Sequence, residues 1–131
     1  MSVALAEPIR DARLQAIADA IDAAGAGATL TLYGGAQPDP GAATSATALA
    51  IFTLPHPVGS VTAAVLTLAD VAETQAVADG TATWGRIVDA AGTWAVDLDA
   101  GPEGSGAAIE LSDTQLYTGG VVKVLSGELL E

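Results

Sequence analysis

Apolar residues recur at helical spacing in one part of the chain, between residues 8 and 24. Leu14, Ile17 and Ile21 lie three and four positions apart, with charged residues around them. This spacing predicts an amphipathic helix, and Gly25 is typical of its end because glycine adopts a left-handed cap without steric cost. The apolar stripe is narrow, so we expect it to lie against a sheet or against a neighbouring subunit.

Beyond the helix, short runs rich in Val, Ile, Leu and Thr are separated by Gly, Pro, Asp and Ser, which is typical of an antiparallel all-β domain. The predicted strands cover residues 29–33, 48–54, 61–68, 81–88, 93–99, 107–111 and 121–130. Residues 69–80 are compatible with a short helical turn or a loop. The sequence therefore predicts a mainly β fold, an antiparallel Ig-like β-sandwich of about seven strands. Residues 1–25 would form a helical arm and residues 26–131 the sandwich domain.

A long polar segment, residues 34–47 (GGAQPDPGAATSAT), separates the first two predicted strands. Its prolines remove backbone donors and fix dihedral angles. Loops of this length are commonly either functional or poorly ordered. We expect this loop to order on a partner, with Gln37 and Asp39 as candidate contact residues.

The four residues from Asp89 to Gly92 are typical of a hairpin turn. Aspartate suits the first position as a side-chain acceptor, and glycine suits a positive φ at the last position. The pattern predicts a three-residue loop with a G1 bulge. The resulting cross-strand pairs are Val88 with Trp94, Arg86 with Val96 and Trp84 with Leu98.

The predicted register places Trp84 and Trp94 on one face of this hairpin. Because the chain has few large rings, we expect the two tryptophans to anchor the core. Arg86 would lie on the same face, where it must reach the sheet edge, stack on a ring or meet a carboxylate. A loop of two or four residues would reverse the parity, exposing Trp84 and Arg86 as a patch for a partner and burying Ile87 instead.

Composition narrows the classes of function. A chain of 131 residues is long enough for one core, and with 50% hydrophobic but only 4% aromatic residues that core must be filled by Ala, Val and Leu. The formal net charge of -12 repels phosphate backbones and anionic lipids, so we expect no direct nucleic-acid or membrane binding. We interpret the acidic charge mainly as a contribution to solubility, and secondly as a preference for a basic surface on a partner.

The chain contains no cysteine, which excludes a disulfide framework, a thiol nucleophile and a zinc-thiolate site. The first residues lack a basic region before an apolar run, and no stretch is apolar enough for long enough to cross a bilayer. We therefore expect synthesis in the cytoplasm and no standard route of anchoring or export.

Candidate catalytic and metal-binding residues are few. His56, the only histidine, lies between two prolines with no orienting carboxylate or nucleophile close in sequence, and is interpreted as a surface or turn residue. Asp97, Asp99 and Glu103 could supply oxygen ligands to calcium, but their spacing is not that of an EF-hand. A solvated strand end is the favoured interpretation. The sequence therefore predicts no enzyme, no cofactor and no metal site.

Several of these features together resemble small virion structural proteins of tailed bacteriophages and prophages. The resemblance covers most of the chain, from the N-terminal helix through the glycine-proline loop and the tryptophan hairpin to a glycine-led final strand. Its residues are Leu30, Leu32 and Tyr33 before the loop and Thr83, Trp84 and Arg86 before the Asp-x-x-Gly turn. The chain departs from typical members in its acidic balance and in Gly85, where a larger residue is expected.

The resemblance implies a non-enzymatic virion component, such as a capsid-decorating or head-tail protein, that works through symmetric copies. Its partners would be the major capsid or head-tail proteins and further copies of itself, in a homo-oligomer that is synthesised in the host cytoplasm and located in the virion. The helix stripe, the long loop and an edge strand could each make contacts. The alternative is an Ig-like recognition module that binds a glycan or a host surface through Trp84 and Arg86.

Overall fold

The N-terminal helix, α1, spans Glu7–Asp22 in the computed structural model, which describes residues 4–130. Pro8 lies in the first turn of the helix, where its missing backbone donor costs no hydrogen bond. Gly25, with a φ of +87°, follows the last turn as predicted. No helix in the described part of the chain is long and apolar enough to span a membrane.

Twelve strands follow the helix within residues 4–130. They are β1 (Thr29–Tyr33), β2 (Ala48–Thr53), β3 (Gly59–Thr62), β4 (Val65–Leu68), β5 (Thr74–Gln75), β6 (Gly80–Thr81), β7 (Trp84–Val88), β8 (Trp94–Pro102), β9 (Ile109–Leu111), β10 (Gln115–Leu116), β11 (Val121–Val122) and β12 (Val124–Leu130). The prediction of a mainly β chain with one N-terminal helix is therefore confirmed.

Eight of these strands form one curled main sheet, in the order β2-β1-β7-β8-β9-β12-β4-β3. All neighbours in this sheet are antiparallel except β8 and β9, which run parallel, so the prediction of a wholly antiparallel sheet is wrong at this pair. The glycine-rich segment between them folds back on itself, because the N–H groups of Gly104 and Gly106 donate to the carboxylate of Glu110. This loop brings β9 alongside the end of β8 in the same direction. The other four strands form two separate pairs, β5 with β11 and β6 with β10.

The predicted strand over residues 61–68 is in fact the hairpin of β3 and β4. The chain turns at Ala63 and Ala64, whose φ angles are +52° and +62°, although Asn and Gly are the usual residues in such turns. The N–H of Ala64 donates to the carboxylate of Asp11 in α1 at 2.7 Å. The helix therefore stabilises a turn that the local sequence does not favour.

The main core lies between α1 and the inner face of the curled sheet. Leu14 and Ile21 are 1% and 0% exposed, and α1 contacts β3, β4 and β8. The sheet contributes fully buried side chains, namely Leu30, Leu32, Phe52, Leu66, Ile87, Ile109 and Leu111. The helix thus packs within its own chain, where Leu14 and Ile21 are buried and Ile17 is half-buried. The described parts of the predicted arm and domain share one core.

Candidate functional site

Strands β1, β7 and β8 have an inner face, directed to the main core, and an outer face on the opposite side. In β1, Leu30 and Leu32 point inward and are fully buried, so Tyr33 points outward. Antiparallel pairing places Trp84 directly opposite Tyr33. Arg86, two residues further along β7, projects from the same outer face.

The predicted turn at residues 89–92 is present, and Val88 faces Trp94 as predicted. Beyond this pair the register shifts by one residue, because Ala95 is an extra residue that forms a bulge in β8. Arg86 therefore faces Asp97 and Trp84 faces Asp99, and the predicted pairs with Val96 and Leu98 are wrong.

The two tryptophans lie on one face of the hairpin, as predicted, but this is the outer face. Trp84 is only 1% exposed and yet lies outside the main core, because on the outer face its ring contacts Tyr33, Arg86 and the start of the long loop at Gly34. Trp94 is 43% exposed. The prediction that both rings anchor the main core is therefore wrong. That prediction did not include the second, smaller cluster of side chains that lies between the sheet and the long loop.

The centre of this second cluster is an ion pair between Arg86 and Asp97. The Arg86 Nε lies 2.7 Å from Asp97 Oδ1, and its Nη2 lies 3.0 Å from Oδ2, so the guanidinium holds the carboxylate with two hydrogen bonds. The side chains are 14% and 2% exposed. The same Nη2 donates to the C=O of Ala42 in the long loop at 2.7 Å. A bidentate pair of this kind is strong and geometrically specific.

Asp97 accepts hydrogen bonds from two further donors. The N–H of Gly41 donates to its Oδ2 at 3.2 Å, and the Nε1 of Trp94 donates to its Oδ1 at 3.0 Å. Burial raises the pKa of Asp97, but the hydrogen bonds from Arg86, Gly41 and Trp94 outweigh burial and hold this pKa below its ordinary value. The hydrogen bond with Asp97 raises the pKa of Arg86 in turn. Both groups therefore stay charged.

Trp84 fills the rest of the cluster. Its ring stacks on Tyr33 with 4.6 Å between ring centroids, and the guanidinium carbon of Arg86 lies 5.4 Å from its centroid. Its Nε1 donates to the C=O of Gly34 at 3.2 Å. We refer to Tyr33, Trp84, Arg86, Trp94 and Asp97 as the outer cluster.

The outer cluster fixes the long loop at both its beginning and its middle. Contacts to Gly34 come from Trp84, and contacts to Gly41 and Ala42 come from Asp97 and Arg86. The loop therefore orders on its own sheet without a partner. Gln37 and Asp39, the predicted contact residues, are exposed between these two attachment points.

Gly41 gives a direct test of the contact between the loop and the cluster. Its φ is +73°, and a Cβ at this position would lie 3.0 Å from the Trp94 ring, whereas Gly35, with a φ of +77°, has open space around it. Both alanine variants incur a cost of about 1–2 kcal/mol for the left-handed backbone. We expect Gly41→Ala to lower the free energy of unfolding more than Gly35→Ala and to shift the Trp94 indole N–H resonance. Equal losses with an unchanged resonance would contradict the contact.

The pKa of Asp97 also predicts a pH dependence. Because its folded pKa lies below the ordinary value of 3.8, the ion pair contributes stability that is present above that value. This contribution is lost as the pH falls below 3.8 through the folded pKa. Urea unfolding between pH 7 and 3, compared with Asp97→Asn, should show a steeper acid loss for the unsubstituted protein. Parallel curves for the two proteins would be inconsistent with the pair.

Two other candidate residues, His56 and Asp99, make contacts with neighbouring segments of the chain. The Nδ1 of His56 lies 3.3 Å from the carboxylate of Asp22, which also accepts the N–H of Val58, so Asp22 joins the helix end to the segment that leads into β3. Asp99 Oδ1 accepts the N–H of Ala108 at 2.9 Å. Among residues 4–130 no three His, Cys, Asp or Glu side chains are grouped to hold a metal ion.

Sequence reasoning missed a set of exposed apolar side chains on β2 and on the segments that are hydrogen bonded to it in turn. Four large apolar side chains there, on segments hydrogen bonded to one another, are between 47% and 64% exposed: Ile51, Val77, Tyr117 and Val121. We call these four residues the β2-end surface. The alternation in residues 48–53 (ALAIFT) indicates an exposed Ile51. Ala50 and Phe52 point inward, so Ile51 between them must point outward.

No protein-family model, no curated protein and no solved structure matches the chain. The resemblance to virion proteins therefore rests on the sequence features quoted for it.

Proposed function

We propose that this chain is a non-enzymatic structural or assembly protein of a phage-like particle, a capsid-decorating or head-tail component that acts through symmetric copies. Its partners would be major capsid or head-tail proteins and further copies of itself. The observation that carries the proposal is the β2-end surface. Exposed groups of large apolar side chains on a folded protein mark sites of protein-protein contact.

The position of β2 supports this proposal. It is the last strand on one side of the main sheet, so one of its backbone edges faces away from β1. The N–H of Leu54 donates to the C=O of Ala28, and the alternation of antiparallel pairing then directs the backbone groups of Ile51 and Thr53 outward. An edge of this kind can accept a strand from another molecule. This edge is occupied at Leu49, whose C=O accepts the N–H of Val77, so an added strand would pair at Ile51 and Thr53, next to the exposed apolar side chains.

The fixed long loop is a second supporting feature. Its conformation is held by the outer cluster, so presenting Gln37 and Asp39 to a partner costs little ordering entropy. Repetition of such contacts over symmetric copies would multiply a weak affinity. The acidic balance of the chain favours a basic surface on the partner.

The test is light scattering coupled to size-exclusion chromatography, on the chain alone and with the major shell protein encoded beside it. We expect a ring, a trimer or a shell-bound form. Ile51→Lys should weaken that association at least tenfold, because it places a charge in the apolar contact. Thr62→Lys on β3, the opposite edge strand, is the matched control and should leave it unchanged. A folded monomer that does not bind the shell protein would overturn the proposal.

The alternative, an Ig-like recognition module for a glycan or host surface, is favoured by one observation. Trp94 is 43% exposed, while the originally suggested Trp84 is buried. Exposed aromatic rings are common in recognition surfaces. Loss of glycan-array binding in a folded Trp94→Ala variant would support this alternative, and no binding by the unsubstituted protein would remove it. An Ig-like sandwich stays a prediction for both functions, supported by the curl of the main sheet around one core.

A further inference from the structure

A cleft opens in the main sheet because β9 is much shorter than its two neighbours. β9 has 3 residues, while β8 has 9 and β12 has 7. β9 pairs with residues 100–102 of β8 and with residues 124–127 of β12. The earlier part of β8 and the end of β12 run past β9, and each of them is paired on its other side only, with β7 and β4 respectively.

Backbone groups from both strands face this cleft. The N–H of Ala100 donates to the C=O of Thr83 in β7, so by alternation the N–H groups of Asp97 and Asp99 point away from β7. On β12, the N–H of Glu128 donates to the C=O of Ala108, so the N–H of Leu130 points to the same side, into the cleft. Ala108 bridges the two strands at the end of the cleft next to β9, because it accepts the N–H of Glu128 and donates to Asp99. Beyond Ala108 the N–H groups of Asp97 and Leu130 face the cleft from its two walls.

The cleft has an apolar floor and an acidic rim. Its volume is about 480 Å³, and helix α1 closes its base with Leu14 and Ile17. The walls add the apolar residues Val96, Leu98, Leu129 and Leu130. The rim includes Asp99 and Glu128, which are both exposed. Ile17, a predicted contact residue of the helix stripe, thus reaches a surface that a partner can touch.

From this geometry we infer that the cleft binds an extended basic and apolar segment of a partner protein. The segment lies between β8 and β12 as one added strand, beyond Ala108 and along the line of β9. Strands that flank a third strand lie about 10 Å apart, which leaves room for one chain. Its backbone pairs with the free edges of β8 and β12. Alternate side chains contact the floor, and basic side chains meet the carboxylates of the rim.

Two observations favour an extended basic segment as the ligand of the cleft. Unpaired N–H groups on both walls are satisfied by a main chain, which supplies donors and acceptors at strand spacing. The rim carboxylates and the net charge of -12 favour a basic segment and oppose a second copy of this acidic chain. The inference goes beyond the proposed function, because the cleft lies in the middle of the sheet and does not use the β2-end surface. It holds whether or not the partner is a virion protein.

The test uses a set of capped peptides in which Lys alternates with Val, Ile, Leu or Thr, titrated into the ¹⁵N-labelled full chain. We expect binding by at least one peptide, with amide shifts at Asp97, Asp99 and Leu130. N-methylation of alternate peptide nitrogens should weaken binding at least tenfold, because it removes the backbone donors. Peptides with Glu in place of Lys should not bind. No virion protein is needed, so the result is independent of the shell-binding assay.

A matched pair of variants isolates the rim charge. Glu128→Lys lies on the rim, whereas Glu103→Lys makes the same change of net charge at an exposed residue outside the cleft. We expect at least a tenfold loss of peptide affinity for Glu128→Lys and less than a twofold change for Glu103→Lys. Equal losses, shifts confined to other amides, insensitivity to N-methylation or no binding at millimolar peptide would each overturn the inference. So would shifts of the same amides on raising the protein concentration without peptide.

Discussion

Replacing Asp97 with alanine is expected to lower the free energy of unfolding by about 3–5 kcal/mol, the usual cost of breaking a buried ion pair by removing one partner. Asp97 is 2% exposed in its side chain and accepts hydrogen bonds from Arg86, Gly41 and Trp94. Its removal leaves the guanidinium of Arg86 without its carboxylate and detaches Gly41 from the sheet. Urea unfolding followed by far-UV circular dichroism measures the loss.

Two further variants separate the ion pair from a general effect of charge. Glu103→Ala removes an exposed carboxylate near the same strand and should change the free energy of unfolding by less than about 0.5 kcal/mol. The double variant Arg86→Met with Asp97→Leu should be more stable than Asp97→Ala alone, because it leaves no unpaired buried charge. A loss for Asp97→Ala no larger than that for Glu103→Ala would show that the pair contributes nothing.

Trp84→Ala is expected to cost about 3–5 kcal/mol, as for other fully buried large rings. The change removes the stacking on Tyr33, the contact with Arg86 and the hydrogen bond to Gly34, and it leaves a cavity beneath the loop. Circular dichroism is the suitable signal, because the substitution removes a fluorophore.

Trp94→Ala is the matched comparison for Trp84→Ala. Trp94 is 43% exposed and gives one hydrogen bond to Asp97, so we expect a loss of about 1–2 kcal/mol. The difference between the two losses in free energy of unfolding measures how much the burial of Trp84 contributes to stability. Equal losses, or a larger loss for Trp94→Ala, would contradict the placement of Trp84 beneath residues 34–47.

Much of the local structure could be predicted because it depends on neighbouring residues. The helical stripe of Leu14, Ile17 and Ile21 predicted α1, and the Leu- and Thr-rich run over residues 29–33 predicted β1 with its observed bounds. The Asp and Gly of the turn at residues 89–92 predicted its geometry. In each case the periodicity or the turn chemistry lies within a few residues.

Features that depend on distant contacts could not be predicted in this way. The bulge at Ala95 has no marker in its own residue type, and it changed the partner of Arg86 from Val96 to Asp97. The turn at Ala63 and Ala64 relies on Asp11, which lies 53 positions earlier in the chain. Neither the bulge nor this turn can be predicted from the residues next to it in sequence.

The candidate site was predicted only in part. Trp84 and Arg86 were singled out, and the need of Arg86 for a ring or a carboxylate was stated from chemistry alone; the structure supplies both, in Trp84 and Asp97. The sequence pattern of Asp97 favours a solvated strand end, with calcium binding as the alternative, and neither interpretation includes the ion pair with Arg86. The attachment of the long loop was also missed, because the bond from Arg86 to Ala42 joins residues 44 positions apart.

The outer cluster holds residues 34–47 in one conformation on the sheet through its bonds to Gly34, Gly41 and Ala42. Hydrogen exchange measured by NMR at the Gly41 amide and the Trp84 indole N–H tests it most directly. We predict that both are protected in the unsubstituted protein, and that Asp97→Asn removes the protection of Gly41 while Glu103→Gln does not. Exchange of both groups at the rate of an unstructured peptide in the unsubstituted protein would contradict the claim.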